Sequence, residues 1–414
     1  MERSSSVLFG LACGVMLLCA LAGRADAEIE FEHHYIDSSG PPGTHWGCTT
    51  VADLNNDGLP DVVVGRSKWG DDGPRGVFWY ANQEGGIRNW SGRRAVHEGG
   101  HVGCGASALD VDDDGWTDIV CDGVWFRNPG PPRNGEEFER FEFDGRARGA
   151  HDLLAHDMDG EGSREVVVYL EHQERGGLFI YEIPENPREQ WPRTVVREMD
   201  DTVHAAIAPG GIGDVSGDGA PDIVFVSRWF ENPAENGDGW TEHSNFDFRD
   251  TGPWGPAVRT FTADIDGDGR LDFVQSECDM PEARIAWFRN AAGDGAEWQM
   301  HRLPQDSVPG DFHSLVVGDF DLDGDPDVYA DEMEHIHVQK GDKSKVGMHI
   351  WENVDGRGTR WQKHTLKTGL GGHQAKAADF DGDGDLDIVT RPYTANNTAN
   401  DGRMHLSVLE NKTK

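Results

Sequence analysis

Positive charge is scarce in this 414-residue sequence: 37 Lys and Arg stand against 75 Asp and Glu, for a formal net charge of −38. A nucleic-acid partner is excluded, because displacing counterions from phosphate needs a basic footprint. Cysteine is also rare. Of six, Cys13 and Cys19 fall in the N-terminal apolar stretch, leaving Cys48, Cys104, Cys121 and Cys278, too few for a disulfide framework. Beyond residue 27 no apolar run is long enough to insert in a membrane. The sequence contains no G-x-S-x-G, H-E-x-x-H or phosphate-loop motif, so serine hydrolase, zincin and NTPase chemistry find no support. What is plentiful is Gly (54) and Trp (14), a composition foreign both to helical bundles and to disordered acidic tails.

The first 27 residues have the layout of an export signal removed on secretion: Arg3, an apolar run from Val7 to Ala22, and Ala25-Asp26-Ala27 as a small-x-small cleavage site. A membrane anchor is the competing reading, but Gly10 and Gly14 interrupt a run already short for a bilayer. The mature chain, residues 28–414, is expected to be one domain, and periplasmic or extracellular.

That domain is a repeat array. The pattern Asp-x-Asp-x-Asp-Gly-x-x-Asp starts seven times, at intervals of 57, 47, 57, 50, 55 and 60 residues. Positions 1, 3, 5 and 9 are Asp53, Asn55, Asp57 and Asp61 in the first copy, then Asp110, Asp112, Asp114 and Asp118. The third has Asp157, Asp159, Glu161 and Glu165, and the fourth Asp214, Ser216, Asp218 and Asp222. Asp264, Asp266, Asp268 and Asp272 follow, then Asp319, Asp321, Asp323 and Asp327, and last Asp379, Asp381, Asp383 and Asp387. Oxygens at 1, 3, 5 and 9, with Gly at 6 for the sharp turn, suit a Ca²⁺ cage; plain Asx-rich turns are the alternative. Seven Ca²⁺ would bring the formal charge from −38 to −24. Loops three and four, with Glu161, Glu165 and Ser216, depart most from the pattern and are expected to bind weakly or differently.

The flanks are strand-like rather than helical, as in Asp222-Ile223-Val224-Phe225-Val226 after a loop and Ser314-Leu315-Val316-Val317 before one, so no EF-hand is present. A third strand ends in an aromatic and a turn (Trp125-Phe126-Arg127-Asn128-Pro129, Trp229-Phe230-Glu231-Asn232-Pro233), and a fourth opens on Trp (Trp298-Gln299-Met300-His301, Trp361-Gln362-Lys363-His364). Four strands repeated seven times predict an all-β, seven-bladed β-propeller with these aromatics packed between blades. Phe31 to Ile36 resembles a fourth strand, whereas the last repeat stops after its third, at Leu409-Glu410-Asn411. The N-terminal strand is therefore expected to complete blade seven and close the ring.

These loops and strands resemble the FG-GAP or VCBS repeat family over essentially all of residues 28–414. The Trp-Phe-x-Asn-Pro and Trp-x-x-His elements look more like its sugar-associated bacterial branch, similar to the propeller of aldos-2-ulose dehydratase, than like integrin-type adhesion propellers. The resemblance implies a calcium-stabilised propeller with a carbohydrate or glycan ligand, and leaves a protein partner open. The dehydratase carries cupin domains that this sequence lacks.

In a propeller the residues just before each inner strand meet at the channel mouth opposite the calcium loops. His45, His101, His151, His204, His313 and His373 stand there, with Arg259 in the fifth repeat. At the ends of the second strands come Arg66, Asp122, Glu171, Arg228, Glu277, Asp331 and Arg391. These residues either solvate and fill the channel or form a pocket where a proton is moved: His151, His313 or His373 as base, with Arg66, Arg228, Arg259 or Arg391 holding a developing enolate. A lyase or dehydratase acting on a sugar or polysaccharide is the expectation; a non-catalytic glycan- or protein-binding propeller is the alternative. His335 and His337 form H-x-H beside Glu334, a candidate seat for Zn²⁺ or Mn²⁺ completed by His313 or His373, or else a solvated loop. Cys104 and Cys121 lie on antiparallel neighbours and are either bridged or inert buried thiols.

Overall fold

The computed structural model describes residues 28–40, 46–66, 75–99, 103–131, 137–162, 164–171, 176–199, 203–233, 239–248, 256–280, 282–305, 310–333, 346–394 and 397–414. These form seven antiparallel four-stranded sheets with inner strands adjoining all round, blade seven against blade one. Written from the inner strand outward, blade one is Trp46–Ala52, Asp61–Arg66, Gly76–Tyr80 and Arg94–Glu98; blade two is Ala106–Leu109, Asp118–Cys121, Val124–Arg127 and Glu139–Glu142. Blade three is Asp152–His156, Glu165–Leu170, Gly177–Tyr181 and Arg193–Glu198; blade four is Ile212–Gly213, Asp222–Phe225, Arg228–Glu231 and Thr241–His243. Blade five is Val258–Ala263, Asp272–Glu277, Ile285–Asn290 and Trp298–Arg302; blade six is Val316–Gly318, Asp327–Asp331, Gly347–Asn353 and Trp361–Thr368. Blade seven is Gln374–Ala378, Asp387–Arg391 and Met404–Asn411, with Phe31–Gly40 outermost, paired so that Phe31 faces Asn411 and His33 faces Leu409. The proposed signal segment, residues 1–27, lies outside the described residues.

Second strands are β-branched and apolar on both faces, as in Val62-Val63-Val64, because each blade is covered by a neighbour on either side. The apolar clusters accordingly lie between blades: Cys48, Val63 and Trp79 of blade one pack with Ile119, Cys121 and Phe126 of blade two. Trp125, Trp229, Trp287 and Trp351 are buried, and their indole N–H groups reach neighbouring oxygens; Trp287 Nε1 donates to the Gly358 carbonyl of blade six at 3.2 Å. The outermost strands face solvent on one side.

Blade four departs from the strand-like run expected before each loop. Ala208-Pro209-Gly210-Gly211 has no β-branched residue and lacks a donor at Pro209, so the inner strand shrinks to Ile212–Gly213. Pro209–Gly210 instead pairs in parallel with the inner strand of blade five, Pro209 opposite Thr260.

One polar device repeats around the ring. The buried carboxylate at loop position nine accepts the N–H of loop residue two on one oxygen, in all seven loops, at 2.7–3.2 Å. In six blades its other oxygen accepts the N–H of an Asn ending the third strand: Asn82, Asn128, Asn232, Asn290, Asn353 or Asn411. The side-chain amide of that Asn then donates to loop residue two of the preceding blade at 2.6–2.9 Å, as Asn353 does to Ile265 and Asn82 to Phe380. Blade three has no such Asn; there Phe143 of blade two stacks on Trp191, centroids 4.3 Å apart. Replacing Asn353 by Ala leaves the Ile265 carbonyl without this donor and the Gly358 N–H without its acceptor. Asn353→Ala should destabilise the chain by about 2 kcal/mol in denaturant unfolding.

Candidate functional site

Two sites stand at opposite ends of the blades. At one end are the seven loops. Position-one Asp accepts the N–H of the loop Gly at 2.8–3.1 Å in every copy. Those glycines, Gly58, Gly115, Gly162, Gly219, Gly269, Gly324 and Gly384, have φ of 83–102°, where a side chain would be strained. Carboxylate oxygens of positions 1, 3 and 9 converge within 4.8 Å, for Asp110, Asp112 and Asp118 and for Asp157, Asp159 and Glu165. Burial, then the neighbouring acids, pushes Asp61, Asp118, Asp272 and Asp387 up to about 7, Asp222 to about 6 and Asp327 to about 8. Asp112, Asp325, Asp381 and Asp385 each keep a buried oxygen with no hydrogen-bond partner among the described residues. This donor set fits a hard divalent cation. The position-nine carboxylate does more than the sequence indicated, since it also ties the loop to the third strand. In loops two and five an arginine intervenes: Arg127 reaches Asp112 and Asp114, and Arg289 reaches Asp266 and Asp268.

At the other end four of the predicted histidines meet. His151 and His204 lie with ring centroids 4.6 Å apart, His151 and His313 6.4 Å, and His313 stacks on His373 at 3.7 Å. Tyr393 also stacks on His373, at 5.0 Å. His151 Nδ1 is 2.9 Å from Asp152 Oδ1, and Asp152 Oδ2 accepts the N–H groups of Ala206, Ile207 and Ala208. His204 sits between Glu171 Oε1, 2.9 Å from Nδ1, and Asp279 Oδ2, 3.6 Å from Nε2. His313 Nδ1 donates to the His373 carbonyl at 3.0 Å while its Nε2 faces Asp279 Oδ2 at 3.1 Å. His151, His313, His373 and Asp279 are all under 10% exposed; His204 and Glu171 form the wetter rim.

Burial holds His373 well below the ordinary imidazole range, helped by His313 and Arg391. Burial also lowers His151. For His204 burial opposes the charge, but Glu171 and Asp279 outweigh it and raise the group. Asp279 is held low against its burial by His313 and His204, whereas burial and Asp279 together push Asp311 far up. Three cations share the channel: Arg259, 3.2 Å from Asp152; Arg391, bonded to Thr49 and Gln374; and Lys376, lowered to about 8 by burial.

The structure thus brings together His151, His204, His313, His373, Arg259, Arg391 and Glu171. His45, His101, His335 and His337 lie outside the described residues. One expected clamp does not join them. Arg228 opens the third strand of blade four, because Val226-Ser227 is a two-residue turn with Ser227 at φ 55°; its side chain pairs with Glu242 on the outer strand, 3.4 Å away. Arg66 is buried at the end of the second strand of blade one, paired in register with Trp46 and Gly76. Glu277 is engaged by Arg284, and Asp331 by Thr390 of blade seven at 2.6 Å. Asp122 accepts the Gly149 N–H. Cys48, Cys104, Cys121 and Cys278 are free thiols, and Cys121 meets Cys48 rather than Cys104, since facing blade surfaces, not adjacent strands, bring thiols together. Sequence reasoning missed Asp152, Asp279, Asp311, Lys376 and Tyr393. In sequence Asp311 lies two residues before His313 and Tyr393 two residues after Arg391, whereas Asp279 sits past the end of its strand at φ 58° and carries no such signal.

Residues 53–121, 264–330 and 339–390 match the FG-GAP-like repeat. None of the curated proteins compared matches the chain. Among solved structures it is similar to the Photorhabdus luminescens Tc holotoxin pore, at 14% identity and TM-score 0.41, over 93% of this chain but only 15% of the toxin chain. It is also similar to rhamnogalacturonan lyase YesW, at 16% identity and TM-score 0.44, over 91% of this chain and 75% of that one. Exotype rhamnogalacturonan lyase YesX gives 13% and 0.45, over 93% and 76%. Among the described residues no helix is long and apolar enough to cross a membrane.

The buried loop carboxylates set the pH dependence of the metal-free protein. Their folded pKa values lie above the ordinary 3.8, so the stability they contribute is complete below that value and is lost as pH rises towards about 7. In chelator, the melting temperature should fall between pH 5 and pH 8; excess Ca²⁺ should restore it and flatten the slope.

Proposed function

Taking a seven-bladed propeller that carries FG-GAP-like repeats as the starting point, we propose an exported, calcium-stabilised enzyme of the lyase or dehydratase class acting on a carbohydrate at the histidine end of the channel. The observation that carries this reading is His373: a buried imidazole, disfavoured as a cation, whose Nδ1 has no hydrogen-bond partner among the described residues. Such a group is unprotonated at neutral pH, and Nδ1 is the nitrogen that would take a proton from a carbon next to a carboxylate or ketone. The electron pair left on that carbon moves into the carbonyl as an enolate, and Arg391, Arg259 and Lys376 supply the positive field that stabilises it. The enolate then expels an oxygen leaving group from the neighbouring carbon, forming a C=C bond. The Tyr393 phenol, pushed up to about 12 by burial, stays protonated and can donate to the departing oxygen. The seven loops hold Ca²⁺ remote from these steps, as rigid corners of the blades.

Conjugated C=C formation gives a near-ultraviolet absorbance, which can be followed with uronate-containing polysaccharides and with keto sugars as substrates. The full chain in calcium should show turnover, and His373→Asn should reduce kcat by about 100-fold or more while leaving the melting temperature close to that of the parent. Saturable glycan binding with no product would overturn the enzyme reading in favour of a binding propeller.

A further inference from the structure

The axial cluster contains a contact that ordinary hydrogen bonding does not explain. His313 Nδ1 is committed to the His373 carbonyl, which makes Nε2 a lone-pair nitrogen in the neutral ring. That nitrogen faces Asp279 Oδ2, an acceptor oxygen, at 3.1 Å, and both atoms are buried without a hydrogen-bond partner. Two acceptors directed at one another in a dry site call for a positive centre between them. His204 Nε2 approaches the same carboxylate oxygen at 3.6 Å, and ligand atoms of His151, His204 and His313 all lie within 4.8 Å of one another.

We propose that His151, His204, His313 and Asp279 bind one divalent transition metal ion of the zinc class. Four donors about 2.0–2.1 Å from a tetrahedral ion stand about 3.3 Å from each other, and the separations of 3.1 and 3.6 Å bracket that spacing. The donor chemistry, three imidazoles and one carboxylate, suits Zn²⁺, Co²⁺ or Ni²⁺ better than Ca²⁺. An outer acceptor stands close to Nδ1 of each ring and is hydrogen-bonded to it on His151 and His313. Nδ1 of His151 faces Asp152 at 2.9 Å, Nδ1 of His204 faces Glu171 at 2.9 Å, and Nδ1 of His313 donates to a backbone carbonyl at 3.0 Å. The Asp152 and backbone-carbonyl acceptors fix the tautomers of His151 and His313 that leave Nε2 for a metal, while Glu171 lies beside His204 Nδ1 without a hydrogen bond to it. Asp152 is itself pinned by three backbone N–H groups and Arg259, so the ring it orients is held rigidly.

This centre is separate from the seven carboxylate loops and needs nothing of the reaction proposed above; metal content and turnover can fail independently. The simplest rival is a metal-free ion pair between protonated His313 and Asp279. Purified full chain, treated with a zinc-selective chelator in excess Ca²⁺ and then titrated with Co²⁺, distinguishes them. We expect one equivalent to produce the intense visible bands of a four-coordinate nitrogen–oxygen site, bleached by added Zn²⁺. Asp279→Asn keeps the shape of the side chain, and His204→Gln alters the most exposed ligand, so both should retain the parent melting temperature in Ca²⁺. Each should weaken Co²⁺ binding at least about 10-fold. Absence of a saturable band, or the same band and affinity in both variants, would overturn the assignment and leave the ion pair.

Discussion

The fold depends on what happens to one carboxylate per blade, the last of each loop. It is buried, its two oxygens hold two separate pieces of backbone, and in six blades the second piece is an Asn whose own side chain reaches the blade before. A charge placed there is poorly solvated and crowded by the acids at positions one, three and five. The same side chain that aligns the strands therefore also belongs to a set of oxygens whose chemistry fits a hard cation. Local turn, blade register and contact between blades are coupled through a single group, which is why a chain this acidic can close a compact ring.

The opposite end is governed by a different constraint. Inner strands of seven blades converge on a narrow axis, so side chains just ahead of them share a small volume whatever their separation in sequence. His151 and His373 are 222 residues apart and belong to one cluster through His313. Packing that many polar groups out of water is costly unless each finds a partner, and Asp152 and the His373 carbonyl supply one to His151 and His313. The groups left over mark where chemistry can occur.

Much of this is written plainly in the residues. The loop pattern, its spacing and the aromatic third strands specify seven four-stranded blades, and the offset of His151, His204, His313 and His373 from their loops puts them at one mouth. The misplacements have local causes. Arg228 follows a two-residue turn, which starts the third strand early and swings the guanidinium to the outer sheet. Glycine and proline before loop four remove the inner strand that the pattern implies. Asp279 and Asp311 escape notice because only the approach of blade five to blade six brings them together, with the Asp279 N–H donating to Asp311 at 2.7 Å. Pairing across faces, as between Cys48 and Cys121, depends on blade packing that no spacing rule encodes.

The missing Asn in blade three divides the ring into unequal joints. Six boundaries carry a clasp that passes through a loop carboxylate, so the ionic state of the loops is felt at each of them. The boundary between blades two and three is instead an aromatic seam of Phe143 and Trp191, with Trp125 Nε1 donating to the Pro187 carbonyl at 3.2 Å. Burial of rings responds little to ion withdrawal. The contact between blades two and three therefore rests on ring packing and an indole hydrogen bond, with no loop carboxylate in its path.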